Sequence, residues 1–138
     1  MDIEKIISEI TKELEGNPYR ESAAGDIAVN MRDIPGRLEH SMLAPDITRE
    51  KILKECANSA QYGFAAICVA PYYVADAVQA LLGTSVAVCS AVGFPHGAIS
   101  LQGKIADLKE CILMGAGEVD VSLNMLAVKS GDMDAARR

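Results

Sequence analysis

The chain has 138 residues, half of them apolar and 23% charged, which suits one globular domain and excludes a disordered polymer. Thirteen Lys and Arg stand against nineteen Asp and Glu, a formal charge of −6. That balance argues against nucleic-acid and anionic-membrane partners, because phosphate groups are gripped by basic surfaces. Four cysteines with no Cys-x-x-Cys pair, beside only two histidines, show no metal-ligand spacing, so no metal site is expected.

In chain order, Ile3, Ile6, Ile7, Ile10 and Leu14 recur at helical spacing, and Gly16-Asn17-Pro18 stops them. A weaker helical segment runs from about residue 20 to residue 31, ahead of Pro35-Gly36. Residues 1–36 thus read as an N-terminal helical segment without legible chemistry. The charged start lacks the long apolar run of a signal peptide or membrane span. Reduced thiols in a cytoplasmic protein are the corresponding expectation.

From Arg37 the pattern changes and then repeats. Residues 38–43 form a short apolar strand, and a helix begins near Thr48, its candidate cap. That helix is expected to bury Ile52, Leu53, Cys56 and Ala60 and to end at Tyr62-Gly63. Residues 64–69 are a second strand. Pro71 opens a helix that reaches about Leu82 and stops at Gly83. Residues 86–92 are a third strand, followed by the loop Gly93-Phe94-Pro95-His96-Gly97-Ala98. A helix then carries Leu101, Ile105, Leu108 and Ile112 on one stripe and stops at Gly115-Ala116-Gly117. Residues 118–123 are a fourth strand. Ser130-Gly131-Asp132 starts a further helix with Asp132 as its cap, and the chain ends within that element. Nearly all-apolar strands separated by helices predict an α/β fold with a parallel, helix-covered sheet. About four βα units fill residues 37–138, preceded by the N-terminal helices.

Alternation along the strands singles out polar residues. In the fourth, Val119, Val121 and Leu123 share one face, and Glu118, Asp120 and Ser122 the other. A carboxylate inside a parallel strand is costly unless paired or functional, which makes Asp120 a candidate catalytic group. In the first, Glu39 and Ser41 share one face, His40 and Met42 the other. His40 and His96 are candidate acid–base groups because histidine titrates near neutral pH. The Gly93–Gly97 loop could offer backbone N–H groups to an anion, or be a plain turn. No lysine falls within a predicted strand, and Lys104 and Lys129 read as solvated or structural rather than nucleophilic.

Four motifs match a known family. Leu38-Glu39-His40-Ser41-Met42-Leu43-Ala44-Pro45-Asp46 resembles the opening strand of the deoxyribose-phosphate aldolases. Tyr62-Gly63-Phe64-Ala65-Ala66-Ile67-Cys68-Val69-Ala70-Pro71 is similar to their second motif, and Val92-Gly93-Phe94-Pro95-His96-Gly97-Ala98 to their third. Gly115-Ala116-Gly117-Glu118-Val119-Asp120-Val121 with Ser130-Gly131-Asp132 is similar to their fourth. The resemblance implies the N-terminal part of a (β/α)8 TIM barrel and a class I aldolase without metal or other cofactor. Such enzymes reversibly cleave 2-deoxy-D-ribose 5-phosphate to D-glyceraldehyde 3-phosphate and acetaldehyde through a lysine Schiff base. By resemblance Asp120 relays protons, and Glu39, Ser41 and Cys68 line the substrate pocket. Glu39 stands where the family more often has Asp, and Ser41 where Thr is usual.

The Schiff-base lysine and its companion match no position here, because in the family they lie on later strands. A whole barrel takes about 250 residues and rarely fewer than about 200. The chain alone is therefore expected to be inactive. Its implied partners are a small sugar phosphate and an aldehyde, together with a complementing half-barrel or a homo-oligomer. Two alternatives remain: a catalytically inactive half-barrel that self-associates, and another class I sugar-phosphate aldolase.

Overall fold

Four short strands lie side by side in parallel, in the order of the sequence, in a computed structural model that describes residues 31–137. The helix predicted over residues 3–14, and most of that predicted over 20–31, lie outside the described residues. Two 3-10 turns, Met31–Asp33 and Pro35–Arg37, lead into β1 (Glu39–Met42). Then follow α1 (Arg49–Tyr62), β2 (Ala66–Val69), a 3-10 turn at Pro71–Tyr73 and α2 (Val74–Ala80). The chain continues through β3 (Ala87–Val92), α3 (Leu101–Leu113) and β4 (Glu118–Val121) to two short helices, α4 (Met125–Lys129) and α5 (Met133–Arg137). This is the strand–helix alternation of a partial TIM barrel.

Local chemistry explains most boundaries. Thr48 caps α1 by accepting a hydrogen bond from the Lys51 N–H at 3.3 Å. Gly63 ends it in the left-handed conformation, φ 68°, and the Phe64 N–H returns to the Ser59 carbonyl at 3.0 Å. Ser100 caps α3 through the Gly103 N–H at 3.1 Å. Asp132 caps α5 through the Ala135 N–H, at 2.9 Å, as its position in the sequence predicts. The predicted helix from Pro71 to about Leu82 is instead a 3-10 turn followed by seven α-helical residues. α4 is absent from the sequence reading. Asn124 starts it by accepting from the N–H groups of Leu126 and Ala127 at 3.1 and 3.2 Å.

One face of the sheet meets the helices. Ile67, Val69, Val88 and Val92 pack there against Ile52 and Cys56 of α1, Val74 and Ala77 of α2, and Cys111 of α3. Each of the isoleucines and valines contributes about 1.5–3 kcal/mol through burial. Ser90 is admitted to it because its hydroxyl donates to the Val69 carbonyl at 3.3 Å.

Three expected core positions, Leu53, Leu101 and Ile112, are instead more than 40% exposed. On α1 the buried stripe is Ile52, Cys56 and Ser59, and Leu53 is 42% exposed. Leu53 sits one residue, about 100°, around the helix from that stripe. On α3 only Cys111 is fully buried, and Ile112 is 55% exposed. Leu101, Ile105 and Leu108 line a cavity of about 300 Å³ whose other walls include Val121, Leu123 and Ala136.

Candidate functional site

The opposite, inner face of the sheet has a different composition. Register fixes it: Glu39 pairs with Ala66, Ser41 with Cys68, Cys68 with Cys89, and Ala91 with Asp120. Side chains alternate along each strand, so Glu39, Ser41, Cys68, Cys89, Ala91, Glu118 and Asp120 share one face. The predicted alternation in β1 and β4 is therefore the arrangement found. Cys68, Cys89 and Ala91 form a small buried layer packed with Leu43. Glu39, Ser41, Glu118 and Asp120 are exposed.

The inner face converges. One carboxylate oxygen each of Glu39 and Asp120, and the sulfurs of Cys68 and Cys89, all lie within 4.8 Å of one another. Glu39 and Asp120 are on β1 and β4, the two edges of the sheet. In a flat sheet those strands would be about 14 Å apart, and their side chains would stand parallel. Side chains meet over that span only if the sheet is strongly concave toward them, as the wall of a barrel is.

Electrostatics divides the four groups. Burial is the main cause that pushes the Cys68 thiol up to about 11, with the Glu39 and Asp120 charges adding to it and a hydrogen bond with Cys89 opposing it. Burial raises the Cys89 thiol as well, and the neighbouring Cys68 and the same two carboxylates act in the same direction. Both are therefore protonated at neutral pH and are poor nucleophiles as they stand. Among the described residues neither Glu39 nor Asp120 joins an ion pair.

The candidate bases and lysines lie elsewhere. His40 occupies the helix-facing side of β1, where its Nε2 is 3.4 Å from Glu55 of α1 and its ring meets Phe64 edge-on. It is a packing and pairing residue of that face. His96 is exposed in the 93–98 loop, and its carbonyl accepts from the Met125 N–H at 3.0 Å. The loop's structural part is clear: Gly97, at φ 62°, lies so close to β4's exit that a Cβ there would be 2.1 Å from the Leu123 carbonyl oxygen. Lys104 donates to the Ser122 carbonyl at 2.8 Å and packs on Gly93, a structural role as expected. Lys129 is exposed.

Cys89 is the site residue that the sequence reading did not single out. Its separation from Cys68 in the chain carries no signal, because parallel-strand register, not sequence spacing, brings the two together.

No protein-family model matches the chain. Curated relatives do. A deoxyribose-phosphate aldolase of Malacoplasma penetrans is 38% identical over 106 residues, covering 77% of this chain and 48% of that protein. One of Brevibacillus brevis is 40% identical over 101 residues, covering 73% of this chain and 46% of that protein. Among solved structures, a deoxyribose-phosphate aldolase from Coccidioides immitis superposes with a TM-score of 0.75 at 32% identity, over 78% of this chain and 43% of that one. The chain spans about half the length of the curated relatives it matches.

Proposed function

We propose that the chain, similar in sequence and fold to the deoxyribose-phosphate aldolases over about half their length, supplies the N-terminal half of such an enzyme's barrel. The completed barrel would cleave 2-deoxy-D-ribose 5-phosphate reversibly through a Schiff base. Both lysines of that chemistry would come from strands that close the barrel between β4 and β1. Asp120 would move protons at the reacting carbons. Glu39 and Ser41 would hold substrate hydroxyls, and Cys68 would line the pocket without taking part. The observation that carries this reading is the convergence of Glu39 and Asp120 from opposite edges of the sheet onto one concave face.

The experiment has two arms. The 138-residue chain, given deoxyribose phosphate and borohydride, is expected to show neither aldol cleavage nor a reduced adduct. A stoichiometric adduct on Lys104 or Lys129 would overturn the assignment of roles. Joined to the C-terminal half of a relative's barrel, the chain should gain activity, and Asp120→Asn should lower turnover by about 10² or more, the scale of general acid–base catalysis. Unchanged turnover removes Asp120 from the mechanism. A different preferred sugar phosphate would place the completed protein among other class I aldolases.

A second reading has its own support. Within the described residues β1 and β4 are open sheet edges, and Leu113, Val121, Leu123 and Leu126 are more than half exposed. Open edges and apolar patches favour pairing with another chain. Two copies joined across those edges would form an inactive closed barrel. Sedimentation as a well-folded monomer would dismiss this reading.

A further inference from the structure

The inner-face cluster combines two thiols and two carboxylates, one from each strand of the sheet. We propose that Glu39, Cys68, Cys89 and Asp120 form a binding site for a thiophilic divalent cation of the zinc type. The claim stands on the geometry of the cluster and does not need the aldolase reading.

Three observations support it. First, the four donor atoms already lie within 4.8 Å of one another. Around tetrahedral zinc, with bonds of about 2.0–2.3 Å, donors sit about 3.3–3.8 Å apart. Closing the shell draws the outermost donors together by about 1–1.5 Å. Second, the two sulfurs come from register partners on adjacent strands, so the ladder fixes their separation before any ion arrives. Third, the layers suit the chemistry. Each cysteine is 1% exposed at the floor, and the carboxylates stand exposed at the rim. The rim presents negative charge to an incoming hydrated cation, and the floor supplies the soft ligands that choose zinc over magnesium or calcium. Coordination releases the two thiol protons to solvent.

The test uses the reduced full chain and Cd2+, whose thiolate complexes absorb in the ultraviolet by ligand-to-metal charge transfer. One equivalent of Cd2+ should give a saturable band, displaced by Zn2+ and indifferent to Mg2+. Cys68→Ser and Cys89→Ser should abolish it. Glu39→Gln and Asp120→Asn should each weaken binding by about tenfold or more, the scale seen when groups of a metal site are lost. The double variant Cys56→Ala with Cys111→Ala should keep the band, because those two thiols lie on the helix-facing side of the sheet. The absence of a band, its survival in either serine variant, its loss in the double alanine variant, or displacement by Mg2+ would overturn the proposal. Should a serine variant lose its circular-dichroism signature of folding, the exposed carboxylates decide: unchanged affinity in both Glu39→Gln and Asp120→Asn overturns the four-ligand site.

Discussion

Gly97→Ala places a methyl group where the backbone of β4's exit already stands. The added Cβ would lie 2.1 Å from the Leu123 carbonyl oxygen, 2.4 Å from its carbon and 2.5 Å from the Ser122 oxygen. All three are backbone atoms, so no side chain can swing aside. Two costs combine. The left-handed conformation, φ 62°, costs an alanine about 1–2 kcal/mol. Forcing a methyl into an occupied site costs a further 1–3 kcal/mol or so, typical of overpacking. Their sum, about 3 kcal/mol, should lower Tm by more than about 10 °C in a domain of this size. Gly63→Ala is the control, since Gly63 has φ 68° but no atom within 4 Å of its virtual Cβ. It should cost about 1–2 kcal/mol, the conformational part alone. Urea denaturation of both variants isolates the contact. Equal losses, within about 0.5 kcal/mol, would show that the 93–97 loop does not press on the strand that presents Asp120.

Two further perturbations read the helix-facing side. Glu55 is held at about 2, first by its hydrogen bond from Lys51, then by one from Asn58, with the Lys51 charge and His40 adding and burial opposing. Its folded pKa lies below the ordinary value of 4.5, so its stabilisation is present above that value and is lost as the pH falls toward 2. Lys51 is half exposed, and screening brings the contribution to about 1 kcal/mol. Glu55→Gln should therefore show a shallower loss of urea midpoint between neutral pH and about pH 3 than the parent; parallel curves would reject the pairing. Ser59 is fully buried, and its hydroxyl has no hydrogen-bond partner among the described residues. Ser59→Ala should be neutral or stabilising by up to about 1 kcal/mol, and a loss greater than that in thermal unfolding would mean the hydroxyl is satisfied.

The strands were legible because each carries its instructions locally. An apolar run such as Ala66-Ile67-Cys68-Val69, bounded by Gly63 and Pro71, has few other ways to fold. The inner-face pairing of Glu39 with Ser41, and the outward turn of Val119 and Val121 from Asp120, follow from the two-residue period alone. Helix rotation was less legible. Leu53 and Ile112 are as apolar as the neighbours that are buried, and which stripe meets the sheet is decided by packing between elements. His40 looked chemical by residue type, but the same period puts it on the side of Glu55, away from Asp120. Cys89 was invisible as a site residue because a parallel ladder joins positions that no local pattern relates.

Glu39 and Asp120 pose one electrostatic problem to both proposals. Two carboxylate oxygens within 4.8 Å repel by about 1 kcal/mol in water and by several at the effective dielectric of a partly enclosed site. Closing the concave face against solvent moves the pair toward the larger figure. The four strands offer no relief, since they carry no lysine or arginine and their histidine faces the helices. A metal ion or lysine that relieves the pair would therefore come from outside β1–β4. In an aldolase barrel, lysines on the closing strands would relieve it, and the two carboxylates would in turn stabilise the iminium charge of a Schiff base. In the four-stranded piece, a thiophilic metal ion can relieve it, because two thiols lie directly beneath the acids. The two occupants compete for the same space. Zinc bound to the chain should thus weaken its assembly with a lysine-bearing half-barrel, and removal of zinc by a chelator should restore it. Assembly indifferent to zinc would separate the metal site from the face that the barrel encloses.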